Sequence, residues 1–460
     1  MNYNKLTNVM ILVLVIIGIY QTNTLWLRET SSNTLLDLLI QNTAFKQETA
    51  DGDVLLATRY ALGDGSGNYS VYYPDDVGQS TLLKEANGVL NEILGDRTIV
   101  FERKTADWQE ILNAPVMVLQ YDFLVDGGAY LSHYSNISNE ELPEYFDYIV
   151  IEPSWRLGEM TTAYFVNSRT NESVSYMTKK STTASDFYTK LVVDDTQLTY
   201  ISTAQKTSGS ILWRNLFLPQ WAELPYTYTP LRELSVFGTE GAVNTVTLES
   251  VVKGFFNNFS VNWSSKEESG KFLFSDTNTV VNYTPKKQLL EYYDYTSYGN
   301  EKISTGLLEG YQISCSFMKN DKSLTTDVYL ADIEKQNNET IYYFNYAVNN
   351  IPVILSNTMQ EELKRPYAIA VTIQNDSVKN YSRYAVNYVE DFSQLEEINV
   401  QFIDALDNAN KLYLTMVEDK VITDVSDLSL RYYGDSVGNM YLKWFVTLYE
   451  YLFVVDTDQL

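Results

Sequence analysis

The residue types that carry most hydrolytic and redox chemistry are nearly absent from this chain, whose 460 residues hold one histidine, His133, and one cysteine, Cys315. Zinc-finger ligand sets need four such residues at short spacings and a CxxC redox pair needs two cysteines, so neither can be assembled. The nearest catalytic pattern is Gly434-Asp435-Ser436-Val437-Gly438, a G-x-S-x-G. A nucleophile elbow requires a strand before it, a helix after it, and an acid and a histidine later in the chain. Here the residues after Gly438 read as strand and His133 lies far upstream, so the segment reads as a glycine-rich hairpin turn. Asp64-Gly65-Ser66-Gly67-Asn68 opens like a calcium loop. Its sixth position is Tyr69, where the loop needs glycine, and its twelfth is Asp75 in place of glutamate. His133 has no partner at metal-ligand spacing and reads as a loop residue. Cys315 alternates with Ile313 and Phe317 and reads as a buried small apolar side chain in a strand. Paired carboxylates for glycoside hydrolysis must lie ~5 to 9.5 Å apart in space, a condition that 59 acidic residues leave open. No glycine-rich phosphate loop occurs. No catalytic, cofactor-binding or metal-ligating residue is assigned on this basis.

Composition narrows the partners. With 33 basic against 59 acidic residues the formal net charge is −26, and no basic run with interleaved aromatics offsets it, so nucleic acid is a poor partner. The 45% hydrophobic and 14% aromatic content suffices for several buried cores and rules out wholesale disorder. The 37 tyrosines point to amphipathic, β-rich surfaces. One cysteine is compatible with either redox compartment.

The elements that must position any site begin with an apolar amino-terminal run. Residues 6–27 contain no charge between Lys5 and Arg28, and as a helix they extend about 33 Å against a hydrocarbon core of about 30 Å. The run ends in Gln21-Thr22-Asn23-Thr24 without an A-x-A pattern, so an uncleaved anchor is the reading preferred over a cleaved signal peptide. Lys5 before the span places residues 1–5 in the cytoplasm as a short stub and the bulk of the chain outside, making a single-pass cell-membrane protein. Gly18 and Thr22 form a small-xxx-small pair on a face shared with Ile11, Leu14 and Leu25, and Gln21 is polar near the outer end. Such a face suits contact with another membrane helix. Gly18 is equally accounted for as one of the glycines common in any membrane helix.

The outer part reads as an α+β protein of mixed, mainly antiparallel sheets with amphipathic helices. Ser31 and Ser32 can cap a short helix leading away from the membrane. A helix is expected over 82–94, a helical turn from Thr105 to Leu112, and strands over 116–124 and 148–151. A helix capped by Thr247 and strands over 271–274 and 279–283 follow. Strands are then expected over 311–317, 341–348, 351–353, 367–373, 428–433 and 451–455. A hairpin is expected from Leu412, Leu414 and Met416 through Glu418-Asp419-Lys420 to Val421-Ile422. Domain boundaries are placed to give an outer α+β domain over 30–215, a helix-plus-hairpin domain over 216–300 and a β-rich domain over 301–460.

This order of features resembles the YycH (WalH) regulatory family of Gram-positive bacteria. The points of likeness are the span, the helix over 82–94, and Thr105-Ala106-Asp107-Trp108-Gln109-Glu110-Ile111-Leu112 followed by Pro115-Val116-Met117-Val118-Leu119-Gln120-Tyr121-Asp122-Phe123. Further on, Y-A-V-N-N-I-P-V at 346–353 followed by 367–383 is similar to the family's strand, turn and strand, a pattern shared with the sister family YycI; Asn350 stands where glycine is expected in that turn. The resemblance implies a non-enzymatic regulator of a two-component sensor histidine kinase of the WalK (YycG) type, acting with a YycI-like partner in cell-wall homeostasis. It implies contact through the membrane span, which makes Ile11, Leu14, Gly18, Gln21, Thr22 and Leu25 the contact candidates. The alternatives from other classes are an extracellular wall-ligand-binding module and a carboxylate-dependent wall-glycan hydrolase.

Overall fold

A computed structural model of the protein describes residues 57–460 apart from 74–79, 133, 192–197, 207–216, 222, 257–262, 268–269, 297–304, 337, 418–424, 435–437, 450 and 458–460. The strands β1 (Arg59–Asp64), β2 (Asn68–Tyr72), β3 (Val100–Thr105), β4 (Pro115–Asp126), β5 (Tyr145–Glu152), β6 (Thr161–Asn167), β7 (Glu172–Thr178), β8 (Leu198–Ser202) and β9 (Phe217–Trp221) form a nine-stranded sheet. Their order is β3-β7-β6-β5-β4-β1-β2-β8-β9. Strand β5 is continuously apolar from Tyr148 to Ile151 because both of its faces are covered. Ile149 and Ile151 join the main core, while Tyr148 and Val150 join a smaller cluster on the opposite face.

Helix α1 (Ser80–Gly95) packs against β5, β6 and β7. Leu82, Ala86, Val89, Leu90, Ile93 and Leu94 recur at three- and four-residue intervals and are all buried, which is why this stretch is a helix. On the other face α2 (Trp108–Ile111) begins at Asp107, whose carboxylate accepts from the Gln109 and Glu110 amides. Trp108 meets Tyr148 edge-on with ring centroids 5.1 Å apart.

The second sheet is built from β11 (Leu231–Ser235), β12 (Trp263–Lys266), β13 (Phe272–Ser275), β14 (Thr279–Thr284), β15 (Leu289–Asp294), β16 (Val328–Gln336), β17 (Glu339–Val348), β18 (Ile351–Ile354), β19 (Ile369–Gln374), β20 (Ser377–Tyr384), β21 (Val386–Glu390), β23 (Val425–Gly434), β24 (Asn439–Leu448) and β25 (Tyr451–Asp456). Two further strands, β10 (Tyr226–Tyr228) and β22 (Glu396–Ile398), pair with each other. The path runs β12-β13-β14-β15-β20-β19-β17-β18-β23-β24-β11-β21, with β16 on β17 and β25 on β24. Among the described strands β18 and β23 are the parallel pair, and the other pairings are antiparallel. Strands from 216–300 and from 301–460 thus share one path. Residues 54–460 form one compact unit.

Three local expectations are corrected. The stretch 311–317 is not a strand but part of α4 (Leu307–Met318), whose buried residues Leu307, Gly310, Tyr311, Ser314 and Met318 follow helical spacing. Both periods coexist over those seven residues, and the helical one continues upstream to Leu307. Cys315 is accordingly half-buried on this helix and packs against the core from its flank. The first arm of the hairpin expected from Leu412 is instead the end of α6 (Phe402–Met416), which buries Ala405, Ala409 and Tyr413, and its turn and second arm at 418–422 lie outside the described residues. Leu412, Leu414 and Met416, whose alternation suggested a strand, are exposed. The cap of α3 (Thr245–Val252) is Asn244, whose Oδ1 accepts from the Thr247 amide at 3.1 Å.

Candidate functional site

The two sheets meet along a polar seam. Arg59 on β1 pairs with Asp122 on β4 at 2.9 Å, and Thr58 Oγ1 donates to the Leu330 carbonyl at 3.2 Å. Between β17 and β18, Asn349 and Asn350 both adopt positive φ, +50° and +63°. That is the geometry of a tight two-residue hairpin, and asparagine tolerates it. Asn350 also does what glycine cannot, because its Oδ1 accepts from the Tyr73 amide across the seam at 2.9 Å. Tyr73 packs edge-on against Tyr329 at 5.2 Å.

Arg383 on β20 lies wholly inside the second sheet's core. Its Nη1 donates to Asp321 Oδ2 and to Ser323 Oγ, each at 2.9 Å, and its Nε donates to Tyr346 Oη at 2.9 Å. Nη2 reaches the Val386 carbonyl at 3.0 Å and Asn387 Oδ1 at 3.2 Å. Burial works against this charge, but Tyr346 and Asp321 outweigh it and hold the guanidinium protonated. Tyr346 Oη donates in turn to the Tyr384 carbonyl at 2.7 Å, which fixes β17 against β20.

Tyr384, the next residue along, turns its hydroxyl to Glu233 Oε1 at 2.5 Å, and Tyr388 Oη approaches Glu233 Oε2 at 3.5 Å. Glu233 sits on β11 two residues after the buried Leu231 and so shares its inward face. These three residues line a cavity of about 540 Å³ with Ile354, Met359 and Met440. Burial raises the Glu233 pKa, and the two tyrosine hydroxyls act in the opposite direction. Burial likewise raises Tyr384 and Tyr388, so both remain hydrogen-bond donors. Glu233 is the carboxylate that lines this cavity among the described residues. The cavity therefore offers a carboxylate among tyrosines, apolar side chains and the polar Ser356, Asn357 and Thr358.

The G-x-S-x-G segment turns out to border this cavity through Gly434 and Gly438. It joins the antiparallel strands β23 and β24, with Gly434 opposite Met440, and Gly438 takes φ +93°. Asp435, Ser436 and Val437 lie outside the described residues. Asp64 to Asn68 form the turn between β1 and β2, where Asp64 Oδ1 accepts from the Ser66 amide at 2.8 Å. No group of three or more His, Cys, Asp or Glu placed to hold a metal ion occurs among the described residues. His133 lies outside them, as do the span and its contact candidates Ile11, Leu14, Gly18, Gln21, Thr22 and Leu25. Within them, no helix is long and apolar enough to cross a membrane. The Glu233 cavity was not anticipated from sequence; its one local sign is an acid in phase with the buried Leu231.

Neither a family model nor a curated protein matches the sequence. Solved structures do: the crystal structure of YycH from Bacillus subtilis superposes with a TM-score of 0.50 over 88% of this chain and 97% of that one, at 14% identity. The fold is shared with YycH. An uncharacterized protein from Eubacterium rectale is similar over 54% of this chain and 84% of that one, with TM-score 0.35 and 13% identity. The C-terminal domain of YpeB from Bacillus megaterium is similar over 47% of this chain and 93% of that one, with TM-score 0.29 and 13% identity. The likeness to YycH spans both sheets, since 88% of this chain cannot be covered by either alone.

Proposed function

We propose that this protein is a membrane-anchored, non-enzymatic regulator of a sensor histidine kinase of the WalK (YycG) type, controlling cell-wall metabolism together with a YycI-like partner. The observation that carries the reading is the fold shared with YycH over nearly the whole of both chains. It agrees with a sequence resemblance drawn from different features, the order of span, helix and strands. In this reading residues 6–27 cross the membrane once, with the amino terminus in the cytoplasm and the two sheets outside. The span docks on the kinase's own membrane helices through the face bearing Ile11, Leu14, Gly18, Gln21, Thr22 and Leu25. Such docking shifts a two-state kinase only by the difference in affinity for its two states.

The test is co-purification of the full-length protein with the cell's sensor kinases from membranes, beside a version whose residues 6–27 are replaced by a generic leucine helix. Kinase autophosphorylation is measured in the same samples. Recovery of one kinase with the native span alone, with altered autophosphorylation, supports the reading. Recovery and activity indifferent to the span refute it, and favour an outer wall-ligand-binding module or a carboxylate-dependent wall-glycan hydrolase.

A further inference from the structure

A second cavity, a groove of about 430 Å³, crosses the face of β15, β20, β19 and β17 and is closed at one end by the residues that follow α5 (Asn357–Leu363). Arg365 lines it. Its Nε donates to the Tyr367 carbonyl at 2.9 Å, and its Nη2 to the Ser382 carbonyl and Ser382 Oγ, each at 3.0 Å. All of these acceptors are neutral. Arg59, Arg103, Arg232, Arg383 and Arg431 each sit against a carboxylate; Arg365, like the exposed Arg97, Arg156 and Arg169, has no carboxylate within 4.0 Å among the described residues, but unlike them it is not exposed. Its Nη1 makes no hydrogen bond among the described residues. Burial lowers the Arg365 pKa to about 10, which leaves the charge in place at neutral pH.

A half-buried guanidinium beside a cavity with no carboxylate in contact, Glu291 acting on it only from a distance, stands out in a chain of net charge −26. Lys287 lines the same groove and spends its ammonium on the Glu362 carbonyl at 3.1 Å, again a neutral acceptor. Two acids also line the groove, Glu291, whose charge acts on Arg365, and Glu362, against the three cations Lys287, Lys364 and Arg365. Glu291 accepts from Tyr293 Oη at 2.6 Å, and Glu362 Oε2 is sealed from solvent. The remaining wall carries Tyr343, held rigid by stacking on Tyr367 at 4.6 Å, together with Thr372 and Asn380.

We propose that this groove binds an acidic, hydroxylated ring ligand of the sugar-acid or sugar-phosphate type. Arg365 Nη1 and Lys287 take its oxyanion, and Tyr343, Thr372 and Asn380 take the ring. A planar guanidinium with a free edge suits carboxylate or phosphate oxygens, and aromatic faces beside amide and hydroxyl groups suit a hydroxylated ring. The assignment rests on the groove alone and stands or falls independently of the kinase reading.

Calorimetric titration of the full-length protein in detergent at low salt tests it, with glucuronate, glucose 6-phosphate, inorganic phosphate and glucose as probes. Glucuronate or glucose 6-phosphate binding at least about tenfold more tightly than glucose and phosphate is expected; the tighter of the two identifies the oxyanion as carboxylate or phosphate. Asn380→Asp, which sets a carboxylate into the groove, and Lys287→Gln should each weaken binding about tenfold while leaving the thermal melt near that of the parent. No binding of either acidic sugar, inorganic phosphate or glucose binding as tightly, or affinities unchanged in both variants would overturn the proposal.

Discussion

Arg383 Nη1 and Asp321 Oδ2 lie 2.9 Å apart with neither side chain exposed at all. Because Tyr381 Oη also donates to Asp321 Oδ2 at 2.9 Å, the acid is held by two side chains of β20, and the cation by the 321–323 segment, β17 and β21. Breaking a buried pair from one side strands the other charge. Arg383→Met should therefore cost about 3 to 5 kcal/mol in urea unfolding. The double variant Arg383→Met with Asp321→Leu should recover part of that loss, because no charge is left behind.

Glu233 predicts an acid-side dependence opposite to that of an ordinary ion-paired carboxylate. Burial raises its folded-state pKa above the unfolded value. The folded protein then holds the proton where the unfolded chain has released it. This contribution to stability is fully present below the unfolded value and is lost as pH rises through the folded one. Comparing thermal melts of the parent and Glu233→Gln across pH 4 to 8 should show the parent losing stability with rising pH relative to the variant. A difference that does not vary with pH would refute the assignment.

Gly310 sets how closely α4 approaches the sheet. A Cβ there would lie 2.4 Å from Tyr342 Oη, whose hydroxyl is itself committed to the Leu307 carbonyl at 2.7 Å. Gly310→Ala should therefore destabilise by about 1 to 3 kcal/mol despite alanine's better helix propensity. Adding Tyr342→Phe, which removes the obstructing oxygen, should reduce the loss, and unfolding midpoints of the two variants decide it.

Asn350 separates turn geometry from seam contact. Asn350→Gly keeps the positive φ and loses the acceptor for the Tyr73 amide, so exchange of that amide should accelerate at a cost of about 1 kcal/mol. Asn350→Ala loses the acceptor and adds left-handed strain of about 1 to 2 kcal/mol. Amide exchange and unfolding measured on the pair distinguish the two contributions.

Elements whose signal is local were legible in the sequence. Helix α1 announces itself by six apolar residues at helical spacing, and β4 and β5 by runs bounded by Pro115 and Pro153. Where a segment carries two periods at once, as α4 does near Cys315, a short window favours the wrong one. In α6 the misleading alternation of Leu412, Leu414 and Met416 belongs to the solvent side, where packing does not select the residue type. The cavities were not legible because nothing local links their parts. Glu233 meets Tyr384 across 151 positions, and the Arg365 groove draws on four strands spread from Leu289 to Tyr384.

The placement of β1 bears on how the molecule carries load. It is an interior strand, bonded to β4 on one side and to β2 on the other, and it is the first strand described. A pull delivered along the chain from its amino-terminal side enters the nine-stranded sheet through its middle, not at an edge. Peeling would have to shear two ladders together, and Arg59 at the start of β1 ties that same strand to Asp122 beside the seam. Thr58, the residue before β1, donates to the Leu330 carbonyl of the second sheet, so the same pull also loads a contact across the seam.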